Sequence, residues 1–68
     1  MPNCSLCGKK IKFMHVDGAN VIIDPALKTF RPGHGEGAYE FVTAYARRCI
    51  GTPGALDGIR GYDLHECH

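Results

Sequence analysis

Cys4-Ser5-Leu6-Cys7-Gly8 opens the chain and His65-Glu66-Cys67-His68 closes it. A Cys-x-x-Cys followed by glycine is the sequence form of a zinc knuckle, whose tight turn aims two thiolates at one point. Zinc takes four ligands in a tetrahedron, so the second cluster must supply two more. His65 and Cys67 are two apart and share a face on an extended backbone. The spacing therefore predicts a site of Cys4, Cys7, His65 and Cys67. Two alternatives stay open. His68 could replace His65, because residues three apart converge on a helical turn. Cys49 could supply a fourth thiolate, although it has no partner at knuckle spacing and reads equally as a small buried hydrophobe. One structural Zn2+ is the cofactor expected.

Such a clip would close a loop of nearly sixty residues between Cys7 and His65. The length-dependent cost of that closure is about 3–4 kcal/mol. Structural zinc in finger peptides contributes an apparent ~10–16 kcal/mol at neutral pH, so the metal outweighs the closure. Four protein ligands leave no position for a catalytic water, so the reading is a non-enzymatic one. A redox Cys-x-x-Cys would sit at a helix N-terminus after a strand, and no such context precedes Cys4. His15 and His34 have no recognisable nucleophile or acid partner, beyond the weak pairing of His34 with Glu36 in one loop.

The elements that must position these residues are short. Residues 11–16 and 21–23 alternate or are β-branched and flank Asp17-Gly18-Ala19-Asn20, which predicts a β-hairpin with a slightly long loop. Asp24-Pro25 ends its second strand, since proline cannot donate to a ladder. Residues 27–31 can form a further strand, and Pro32-Gly33-His34-Gly35-Glu36-Gly37 a loop. Over residues 38–50, Ala38, Phe41, Val42, Tyr45, Ala46 and Cys49 fall at helical spacing, with Arg47 and Arg48 at the C-terminal end. This predicts one short helix with Tyr45 on its buried stripe, although Tyr39, Phe41, Thr43 and Tyr45 also alternate as in a strand. Thr52-Pro53-Gly54 reads as a turn, 55–61 as a loop or single helical turn, and 62–65 as a last strand carrying ligands. The fold class expected is a small metal-stabilised β-rich (α+β) domain over residues 1–68, zinc-ribbon-like in its knuckle and hairpin.

At 68 residues the core is marginal, and small domains compensate with disulfides, metals or oligomerisation. No apolar run has the form of a signal peptide or a membrane span, so a reducing cytoplasmic setting is expected, with no membrane partner. The formal net charge is +1, less basic than most nucleic-acid binders. Lys9, Lys10 and Lys12, with Arg31, could still contact phosphates. The same lysines also suit the edge of a thiolate-rich site.

Three segments taken together resemble a known group. They are Cys-x-x-Cys-Gly-x-x-Ile-x-Phe from Cys4 to Phe13, Val-Ile-Ile-Asp-Pro from Val21 to Pro25, and Gly-Tyr-x-x-His-x-Cys from Gly61 to Cys67. The pattern is similar to that of very small zinc-binding proteins encoded by bacteriophages and prophages. That group usually spaces the terminal His and Cys more widely, whereas Glu66 alone separates them here. The resemblance implies a metal-stapled fold in a host bacterial cytoplasm, a strand-like middle segment, and no particular reaction. The function expected is a binding module contacting a host protein, for instance to inhibit a defence or regulatory complex. Tyr39, Tyr45, Tyr62, Arg31, Arg47 and Arg48 are of the types that anchor interfaces. A nucleic-acid-binding zinc ribbon using Lys9, Lys10, Lys12 and Arg31 is the alternative.

Overall fold

The computed structural model describes residues 2–67. Six strands make two units of sheet. Strands β1 (Lys12–Val16) and β2 (Ala19–Ile23) form an antiparallel hairpin. Strands β3 (Lys28–Pro32), β4 (Tyr39–Thr43), β5 (Arg48–Pro53) and β6 (Ile59–Asp63) close into a barrel in the order β3-β5-β4-β6. Every pairing is antiparallel.

The predicted hairpin forms, with a tighter loop than expected. Ala19 and Asn20 belong to β2, and Asp17 and Gly18 alone make the turn, at φ 50° and 80°. Positive φ at both positions is the two-residue geometry that matches strand twist, and Asp-Gly is a preferred pair for it. His15 Nδ1 meets Asn20 Oδ1 at 3.3 Å across the hairpin, a partner for one of the two unassigned histidines.

The helix expected over residues 38–50 does not form. The segment is instead the β4–β5 hairpin, and no helix occurs among the described residues. The physical reason lies in two covered faces. Phe41 stacks on Phe30 inside the barrel, with centroids 3.9 Å apart and planes 6° from parallel. Val42, on the opposite face, packs with Val16, Val21 and Ile23 against the β1–β2 hairpin. A strand covered on both faces buries consecutive residues, and that produced the paired apolar positions that imitate a helical stripe. Tyr45 and Ala46 lie in the connecting turn. Tyr45 is 90% exposed, so its expected burial is also corrected. Ala46 takes φ 62° and lies against the hairpin core. Further boundaries shift: Pro32 joins β3, Thr52 and Pro53 extend β5, and β6 opens at residues 59–61 and ends at Asp63, before His65.

Glycine makes the barrel interior possible. A Cβ on Gly61 would lie 2.7 Å from both the Phe41 ring and the Val42 carbonyl oxygen, and one on Gly51 2.9 Å from the same ring. Glycine ordinarily weakens a strand interior. Here it creates the space that the Phe41 ring fills.

At one end of the barrel, Tyr39 donates its hydroxyl to Asp63 Oδ1 at 2.6 Å, and Lys28 pairs with the same carboxylate. Burial raises Tyr39 to about 12, reinforced by the hydrogen bond to Asp63 and by its charge. For Asp63, burial pushes upward, but the hydrogen bonds from Lys28 and Tyr39 outweigh it and hold the carboxyl below its usual range. The raised tyrosine stabilises the fold fully below its unfolded value near 10. That contribution is lost as pH rises through about 12. An ultraviolet titration is expected to show one tyrosine ionising near 12, and Tyr39→Phe to remove that step. A titration unchanged by the substitution would refute the assignment.

Candidate metal centre

The knuckle is built by the local chain. The Cys4 N–H donates to the Lys9 carbonyl and the Gly8 N–H to the Cys4 carbonyl, both at 2.8 Å. Gly8 sits at φ 74°, a left-handed position suited to glycine. The backbone N–H groups of Cys7 and Leu6 favour the Cys4 thiolate. A bridge between Asn3 and Lys10 and the Ile11 N–H to Pro2 carbonyl bond (3.0 Å) seat this turn before β1.

The second half-site is carried by the segment after β6. Ile23 bridges Leu64, the Asp24 N–H donates to the Asp63 carbonyl at 2.9 Å, and the His65 N–H donates to the Ile22 carbonyl at 3.0 Å. These bonds lay the segment along the end of β2, beside the knuckle. The ligand atoms of Cys4, Cys7, His65 and Cys67 all lie within 4.8 Å of one another. Cys4 Sγ is 3.0 Å from Cys67 Sγ and His65 Nε2 is 3.2 Å from Cys67 Sγ. Cys7 Sγ is 3.4 Å from His65 Nε2 and 3.6 Å from Cys67 Sγ. A tetrahedral zinc site with ordinary bond lengths has edges of about 3.5–3.8 Å. The cluster is therefore of the size and donor chemistry that hold a metal ion.

The groups share their protons. Hydrogen bonding from Cys67, then from the Cys7 and Leu6 N–H groups, draws Cys4 down to about 6. The bond to Cys4 pushes Cys67 up to about 12, aided by Cys7. Asp24, then Cys4, raises His65 to about 9. A metal taken up here displaces protons from Cys67 and His65, so uptake weakens in acid.

Asp24 is the functional residue that the motif reading missed. Its Oδ1 lies 2.9 Å from His65 Nδ1, which leaves Nε2 facing the sulfurs. Metal-ligating histidines are commonly oriented by such a carboxylate. The only signal in the sequence was the Asp-Pro strand end, which was legible as a terminator and not as a histidine partner. Asp24→Ala is expected to lower metal affinity by about 10–100-fold, measured by competition with a chromogenic chelator. Asp24→Asn keeps an acceptor and is expected to lose less. Equal affinity in all three proteins would refute the orienting role.

The remaining candidates separate. Cys49 is absent from the cluster; it is half-buried on β5 and paired in register with Phe41. His68 lies outside the described residues. His34 borders a depression with Cys49 and Arg48, and Glu36 borders another with Arg31. Lys9 lines a cleft with Asp24, Glu40, Asp63 and Glu66, apart from Arg31. Lys12 stands 5.1 Å over the Tyr62 ring. Arg48 pairs with Glu40 at 3.2 Å. None of the helices needed to cross a membrane is present among the described residues. Comparison of the chain with family models, with curated proteins and with solved structures returns no match.

Proposed function

We propose that the protein is a zinc-stabilised, non-enzymatic binding module that acts by contacting a host protein, and that it is phage- or prophage-encoded and works in the bacterial cytoplasm. The observation that carries the structural role of the metal is the complete donor set, with two ligands from each end of the chain within 4.8 Å of one another. Three sulfurs and one imidazole suit zinc. Four protein ligands satisfy a tetrahedral ion and leave its charge without a task in catalysis. The phage setting is supported by the motif resemblance. Contact with a protein is supported by the exposed aromatic and arginine side chains and by a surface that suits one interface of about 800 Å² per partner.

The alternative, nucleic-acid binding through Lys9, Lys10, Lys12 and Arg31, is distinguished by salt. Affinity for DNA or RNA should fall steeply with added salt, whereas protein contact should change far less. The metal role is tested with the cobalt-substituted protein. Tetrahedral bands unchanged by azide or cyanide are expected. Bands that shift with these anions would show an open position and favour a hydrolase. The partner class is tested by crosslinking the zinc-loaded protein in bacterial lysate across a salt series. A discrete protein adduct that persists in salt is the expected result. Adducts to nucleic acid alone would overturn it.

A further inference from the structure

The barrel carries a second feature, on the side where the β4–β5 turn meets β6. Leu27, Tyr45, Ile59 and Tyr62 line a groove enclosing about 630 Å³, with Arg47 and Arg60 at its margin and no carboxylate among its lining residues. The acidic side chains Asp24, Glu40, Asp63 and Glu66 gather in a different cleft. Leu27 is 48% and Ile59 38% exposed, and within the groove they join Tyr45 in one apolar patch rather than standing singly. Neither guanidinium is engaged by a side chain among the described residues, whereas Arg48 is held by Glu40. Lys12, over the Tyr62 ring, adds a third cation beside the groove.

The groove is held ready. The turn is closed by the Thr43 N–H to the Arg47 carbonyl (2.7 Å), by the Ala46 N–H to the Thr43 carbonyl (2.9 Å) and by the Arg47 N–H to Thr43 Oγ1 (3.2 Å). The Ala44 N–H donates to the Arg60 carbonyl at 2.9 Å, which ties the turn to β6. A preformed site loses less ordering entropy on binding. Tyrosine and arginine around an apolar floor are the residue types that anchor interfaces.

We infer that this groove is the docking site for a short acidic segment of a partner protein, one apolar side chain seated against Leu27, Ile59 and Tyr45 and flanking carboxylates paired with Arg47 and Arg60. The inference rests on the protein-binding reading and names where that binding occurs. Charge complementarity selects the occupant. A polynucleotide would meet only two or three cations here, on a chain of net charge +1, too few for a strong backbone contact. A second copy docked symmetrically would bring Arg47 and Arg60 against their own kind.

The test is selection of a displayed random ten-residue peptide library on the zinc-loaded protein, followed by fluorescence polarisation with one rhodamine-labelled enriched peptide. Enrichment of an apolar residue flanked by Asp or Glu is expected. The double variant Arg47→Glu/Arg60→Glu is expected to bind that peptide at least about tenfold more weakly, Tyr45→Ala to weaken it as well, and His34→Glu, an exposed position outside the groove, to leave it unchanged. Zinc content and amide dispersion verify that the variants fold. No enrichment, enrichment of basic peptides, or equal binding to the double variant would overturn the groove. In the last case the peptide binds elsewhere, and the broader reading of a protein-binding module survives. Groove-dependent binding of a (dT)12 oligonucleotide in place of acidic peptides would overturn it in favour of nucleic acid, and groove-dependent dimerisation in the ultracentrifuge in favour of a second copy. A groove that binds acidic peptide while lysate crosslinking yields no protein adduct would sink the cellular reading and leave the site intact.

Discussion

Stripping zinc with excess chelator is expected to abolish cooperative thermal unfolding and most strand signal in circular dichroism, and native mass spectrometry is expected to show one zinc per chain before and none after. The magnitude follows from what the ion connects. Cys7 and His65 are 58 positions apart, and holding them together costs about 3–4 kcal/mol in loop closure. Structural zinc supplies an apparent ~10–16 kcal/mol at pH 7, comparable to the whole stability of about 5–15 kcal/mol of an ordinary domain. The backbone bonds that dock the His65 segment on β2, from Asp24 to Asp63 and from His65 to Ile22, lie next to the metal and should be lost with it. Cys7→Ser and Cys67→Ser are expected to reproduce the apo state. Cys49→Ser and His68→Ala are expected to retain full zinc stoichiometry, because Cys4, Cys7, His65 and Cys67 offer four donors among the described residues. A chelated protein with an unchanged melting profile would refute the clip.

Phe41→Ala is expected to destabilise the zinc-loaded protein by about 3–5 kcal/mol, read as a shift of the urea midpoint. Phe41 and Phe30 are both fully buried and stacked at 3.9 Å, so they form most of the barrel interior. With strands on all sides, little can collapse into the space left behind. Gly61→Ala approaches the same contact from the other direction, because its Cβ would meet the Phe41 ring and the Val42 carbonyl at 2.7 Å. Overpacking of this kind costs about 1–3 kcal/mol. The two changes share a partner, so the double variant should lose less than the sum of the singles. Rescue should be incomplete, since the Val42 carbonyl stays in place. Strict additivity would show that the glycine and the ring are not coupled.

The four residues that could hold a metal ion were legible in the sequence because coordination chemistry restricts which residues can serve and how closely they must be spaced. Cys4 and Cys7 follow from the knuckle alone, and the two-residue spacing of His65 and Cys67 points both to one side of an extended chain. The first hairpin was legible because Asp17-Gly18 demands a particular turn and the flanking residues are β-branched. Asp24 as a histidine partner was not legible, since it is 41 positions from His65 in the chain. Only the docking of the last segment on β2 brings the two together. The β4–β5 hairpin was misread for a related reason. Whether a residue is buried on one strand face depends on what covers that face, and Val42 is covered by a hairpin twenty residues earlier in the chain. Tyr45, read as core, is the exposed tip of the turn for the same reason. What the sequence determined by itself was local: donor chemistry, turn type and strand ends. The barrel closure, the glycine-lined space around Phe41 and the separation of an acidic cleft from an arginine-edged groove were decided by the tertiary structure. They depend on which distant strands pair, and neither composition nor periodicity encodes that choice in a single chain.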